Sequence, residues 1–162
     1  MAAQSGERQN LVEYLDYYRS ALERKCEALT PEQMGARSVP PSNISLLGLV
    51  RHLSRVEHHW FRRVIGAEPT LPRLFSHEAD DAGFNFTAPA TEALVESAWA
   101  LWRFEVHNSR DLLRRVELND KVYVDGQVNE VRDVLLHMIA EYARHLGHAD
   151  LVRECIDGRT GH

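Results

Sequence analysis

No uninterrupted apolar run in this 162-residue chain approaches the ~20 residues that a membrane-spanning helix needs. Its opening stretch, MAAQSGERQN, lacks the apolar core of a secretory signal, so the protein is expected in the cytoplasm, with no membrane partner. Cysteine is scarce: Cys26 and Cys155 are too few for a disulfide scaffold and are expected as small buried apolar residues in a reducing compartment. A basic stripe is also missing. The 19 Lys and Arg are outnumbered by 24 Asp and Glu and interleaved with them, as in ALERKCEAL and SRDLLRRVE, so nucleic acid is not an expected partner. There is neither an internal repeat nor a low-complexity tract. With 44% hydrophobic and 27% charged residues, the whole chain is expected to form one globular domain, residues 1–162 with a core over about 8–158.

Apolar residues Leu11, Tyr14, Leu15, Tyr18, Leu22, Cys26 and Leu29 recur at three- and four-residue steps, which predicts a first helix over about 8–29. TPEQM follows, with Thr30, Pro31 and Gln33 in capping-box positions for one short turn, before SVPPSN breaks the chain. A second helix is expected from Ser45 to about Gly66, and a third from a Thr91 cap through about Val116. KVYVDGQVN alternates around Asp125-Gly126 and reads as a small hairpin, after which Asn129 would cap a fourth helix to about Ile156. Four long helices predict an all-α, up-and-down four-helix bundle with a long loop, residues 67–90, between the second and third helices. Phe84 and Phe86 are expected to anchor that loop. Of Trp60, Trp99 and Trp102, at least two are expected in the core; packing across a homodimer remains open beside the monomer.

The fourth helix carries HMIAEYARHLGHAD, in which His137, Glu141, His145 and His148 fall within roughly 80° of arc on one face. Acidic-x-x-x-His spacing arises about once by chance in a chain of this composition, so the stripe by itself reads first as a solvated or hydrogen-bonded face. His52 changes the weighing, because Leu49, Val50, Leu53 and Val56 place it on the inward side of the second helix. Together His52, Glu141 and His145 would supply the three nitrogen and oxygen ligands of a catalytic zinc site, with a fourth position left for water or substrate. Zinc is the expected ion, with nickel, iron and manganese open to the same donors. His148 is expected in the pocket or behind the ligands, His137 above Glu141, and His59 at an interface or in solvent. His58, His77, His107 and His162 are expected to have no metal role.

The stretches SLLGLVRHLSRVEHHWF and VLLHMIAEYARHLGHADLVRECIDG resemble the DinB-like superfamily of four-helix metal proteins, and more closely its mycothiol-dependent enzymes. Glu141 stands where most of that superfamily has the first histidine of a His-x-x-x-His pair, a departure similar to the His, Glu, His zinc set of the mycothiol-dependent maleylpyruvate isomerases. The resemblance implies a metal-dependent S-transferase that activates mycothiol for attack on electrophiles in detoxification. It implies His148 as a proton carrier, with Arg144 or Arg153 meeting anionic groups of the cofactor or acceptor. The alternatives are an isomerase that adds and releases the same thiol, disfavoured by the acidic HEADD stretch, and a non-enzymatic metal-binding stress-response bundle.

Overall fold

The computed structural model describes residues 6–76, 83–86 and 89–161. Helix α1 (Glu7–Lys25) buries Leu15, Ala21 and Leu22, and ends four residues before the expected limit. The Thr30 hydroxyl accepts from the Gln33 amide and the Gln33 side chain from the Thr30 amide, so the capping box opens the one-turn helix α2 (Pro31–Gly35). Ser45 caps α3 (Leu46–Glu57) by accepting from the Gly48 amide at 3.1 Å. The expected second helix continues to Ile65, but His58–Ile65 is π-helical, closed by a bond of 2.7 Å from the Gly66 amide back to Phe61. Widened turns of this kind are concentrated at functional sites.

Thr91 caps α4 (Glu92–Leu113), which ends before the predicted Val116. Strands β1 (Lys121–Val124) and β2 (Gln127–Glu130) pair antiparallel around Asp125 and Gly126, whose φ values of 49° and 80° are those of a tight hairpin turn. Helix α5 (Val131–Asp157) ends at Gly158, in the left-handed conformation that glycine adopts most readily. Asn129 does not cap it. That residue pairs with Val122 inside the hairpin, and Glu130 takes the cap position, its amide donating to Asp133 at 2.9 Å.

Among the described residues the fold is therefore mostly helical, with a short fifth helix and a two-stranded sheet added to the four long helices. Helix α1 lies along α5, α3 lies along α4, and α3 meets α5 across the centre, where Leu46, Leu49, Val50, Leu53, Leu135 and Met138 are buried. No described helix is long and apolar enough to cross a membrane. Trp102 is buried, whereas Trp60 and Trp99 pack on the core only partly covered. Cys26 is buried as expected, but Cys155 is exposed, on the outer face of α5.

Candidate metal centre

The contact between α3 and α5 brings His52, Glu141 and His145 together, with one ligand atom of each within 4.8 Å of the others. His145 is buried and the other two are partly covered. Its Nε2 lies 3.3 Å from Glu141 Oε2, about the donor–donor spacing that metal–ligand bonds of roughly 2.0–2.1 Å impose. Two imidazoles and one carboxylate, clustered inside a helical bundle, fit a divalent ion of the zinc type.

His52 is held from the other side by Phe84, whose ring stacks on it at 4.1 Å between centroids. One turn earlier on α3, a Cβ on Gly48 would come within 2.5 Å of the Phe84 carbonyl oxygen, so glycine is what lets this loop approach. The loop residue Phe84 thus anchors the excursion, as expected, and also orients a candidate ligand.

His148 Nδ1 is 3.3 Å from His145 Nδ1. When that bond is donated by His145, its Nε2 presents a lone pair beside the Glu141 carboxylate, and two acceptors then face a point that a cation would satisfy. Burial, followed by the charges of His148 and Arg144, pushes the His145 imidazole down to about 4, so it is neutral and able to ligate at pH 7. His137 Nε2 approaches the other Glu141 oxygen at 3.8 Å, and its ring packs on Trp60.

The remaining expectations meet different surroundings. Arg144 is exposed and makes no hydrogen bond or ion pair among the described residues. Arg153 is buried, with its guanidinium donating to the Lys25 and Glu27 carbonyls at the end of α1 and pairing with Asp157. It ties α5 to α1, and the structure does not bring it to the cluster. His58 is buried between Glu105 at 3.2 Å and the Pro72 carbonyl at 3.0 Å, away from the cluster, and His107 pairs with Asp111 on α4. His77 and His162, with all of HEADD, lie outside the described residues.

The sequence pattern of the mycothiol S-transferases matches residues 10–158, which takes in every element from α1 to α5. The chain belongs to that family. A crystal structure of a conserved protein from Enterococcus faecalis shares the fold, with a TM-score of 0.68 and 17% identity over 96% of this chain and 100% of that one. No curated protein matches. The family's description implies a transferase that uses mycothiol, a small thiol.

Two features of this family member were not read from its sequence. One is a cleft of about 300 Å³ that opens beside His52 and is lined by Arg55, His59, Trp60, Arg63 and Arg73 among others. The other is a buried polar network one turn beyond His52. Arg19 forms a bidentate pair with Glu57, its Nε and Nη2 donating at 2.8 and 2.7 Å, and Nη2 also donates to Ser109. Tyr142, beside Glu141, donates to Glu57 at 2.7 Å and accepts from the Trp102 indole at 2.9 Å. Burial, then the Glu57 charge, raises the Tyr142 pKa and keeps its phenol a donor. A signal existed: Arg19 lies between Leu15 and Leu22, and Glu57 between Leu53 and Phe61, each a charge set in an apolar stripe.

Proposed function

We propose that the protein is a divalent-metal-dependent S-transferase that takes mycothiol, or a closely similar thiol, as co-substrate and conjugates it to electrophiles. The convergence of His52, Glu141 and His145, with His52 also lining the cleft, carries this reading, and family membership supplies the thiol. A bound ion, zinc by preference, would favour the ionised, nucleophilic form of a thiol. The chain's own residues do the rest. His52 and His145 offer imidazole nitrogens, and Glu141 offers a carboxylate oxygen that reduces the charge of the site. His148 holds the His145 ring through its Nδ1, and takes up the thiol proton at that nitrogen by releasing the bond. Trp60 and the arginines beside it line the space for the acceptor, whose carbon gains the sulfur as its leaving group departs with the bonding electrons. A role in detoxification follows from such chemistry.

The test is elemental mass spectrometry on untagged protein, wild type beside His52→Ala and Glu141→Ala, followed by S-conjugation assays with mycothiol and a haloalkyl acceptor. Close to one ion per chain, lost in both variants together with conjugation, is the expected result. A wild type that stays metal-free after zinc is added sinks the proposal. An isomerase using the same thiol would return a sulfur-free product, and a metal-loaded protein with no turnover would be a binding bundle.

A further inference from the structure

From the sequence, the acidic HEADD stretch disfavours the isomerase alternative, and Arg144 or Arg153 are the residues expected to meet anionic groups. The structure places other arginines beside the candidate centre. The cleft that begins at His52 has Arg55 and Arg63 on one wall, from α3 and the π-helical segment, and Arg73 on the other, from the loop that follows. Among the described residues, Asp125 at the hairpin turn is the one carboxylate in that lining. None of the three arginines forms an ion pair among the described residues.

The walls are built to hold this arrangement. Arg63 Nη2 donates to the Pro69 carbonyl at 2.7 Å and His58 Nε2 meets the Pro72 carbonyl at 3.0 Å, so two residues of the π-helical segment fasten the loop bearing Arg73. Among the described residues, Arg63 Nε and Nη1 have no hydrogen-bond partner. Arg63 lines the cleft with Arg55 and Arg73, so three positive charges favour an anion there, which a guanidinium can meet with charge-assisted hydrogen bonds. His59, between the arginines, has its pKa lowered by burial first and then by Arg63 and Arg73, which reports how closely these charges converge.

A neutral sugar-like thiol has no use for three guanidiniums. In the reading above, the charge of an ionised thiol is met by the ion and its ligands, so the arginines are left for the second molecule. We infer that the cleft selects acceptors bearing a carboxylate or a similarly compact anion, with Arg55, Arg63 and Arg73 as the specificity-determining residues. The word acceptor rests on the S-transfer reading; anion binding in the cleft does not.

Two measurements separate these. The first is calorimetric titration of succinate, and of its neutral diamide, into the protein as purified and after chelation of metal. Succinate is expected to bind in both states at least tenfold more tightly than the diamide. Arg63→Gln is expected to weaken it about tenfold, and so is Arg73→Gln, whose exposed side chain makes no hydrogen bond or ion pair among the described residues. Equal binding of the two probes, no binding of either, or binding unchanged in a folded Arg73→Gln protein overturns the inference whatever the protein's activity.

The second compares chloroacetate with chloroacetamide as acceptor, using the Cys155→Ser protein to remove its exposed thiol. In each, the sulfur–carbon bond forms as carbon–chlorine breaks and chloride leaves with the electron pair. A kcat/KM for chloroacetate relative to chloroacetamide that falls about tenfold in Arg73→Gln, at unchanged metal content, is expected. A charge preference that instead follows a carboxylate on the thiol overturns the assignment to the acceptor. If no thiol is transferred at all while succinate still binds, the S-transferase reading fails and the anion cleft stands.

Discussion

Arg19 of α1 and Glu57 of α3 form a fully buried bidentate ion pair, which Ser109 of α4 and Tyr142 of α5 join, so one polar cluster is bonded to all four long helices. Helix dimensions place Glu57 little more than one turn after His52, and Tyr142 directly follows Glu141. The cluster therefore fixes the rotation of both helices that carry candidate ligands.

Arg19→Met leaves the Glu57 carboxylate buried without its cation, and the expected loss is about 3–5 kcal/mol of stability by urea unfolding. Arg19→Met combined with Glu57→Leu should recover part of that loss, because the orphaned charge goes too. A single-variant loss under about 1 kcal/mol would show that the pair does not clamp the helices.

Gly48→Ala forces a Cβ onto the Phe84 carbonyl, and the loop must retreat from α3, taking its ring off His52. Zinc affinity is expected to drop roughly tenfold, the scale on which groups that orient ligands act. Competition against a chromogenic chelator reads this directly, and unchanged affinity would remove Phe84 from the support of the site.

His148→Ala removes the group facing the inner nitrogen of His145. Metal affinity is expected to fall about 10–100-fold while the metal-free protein keeps its unfolding midpoint. Loss of conjugation at full metal occupancy would instead assign His148 to proton transfer alone.

The lowered His145 pKa makes the metal-free protein sensitive to acid in a definite window. An unfolded chain protonates this histidine near its ordinary value of 6.5, whereas the folded chain resists until about 4. The stabilising contribution is therefore complete above pH 6.5 and is lost as pH falls towards 4. Urea unfolding of chelated protein at several pH values should show this slope, and His145→Gln should flatten it.

Burial pushes the Cys26 thiol up to about 12, while Cys155 is exposed. A disulfide-exchange reagent should therefore label one thiol in the native protein and the second only on unfolding. Two fast equivalents would mean that the end of α1 opens readily.

The sequence by itself determined the four long helices and three of the caps, because periodicity and capping are local: Thr30 with Gln33, Ser45 and Thr91 all act within one turn. It also singled out His52, Glu141 and His145, since Glu141 and His145 are four apart on one helix and His52 lies in an apolar stripe on another. Asn129 was misjudged as a cap because strand pairing with Val122 uses that residue first. What the tertiary structure decided is everything that depends on which faces meet. Arg153, which the family resemblance offered to an anionic group, is drawn to the free carbonyls at the end of α1. Arg19 and Glu57, 38 positions apart, pair only because α1 and α3 share an interior where neither charge could be left alone. Arg55, Arg63 and Arg73 become one basic wall only when the loop folds back on the π-helical segment. Spacing along a helix is written in the chain, whereas charges gathered from separate segments become neighbours only through packing.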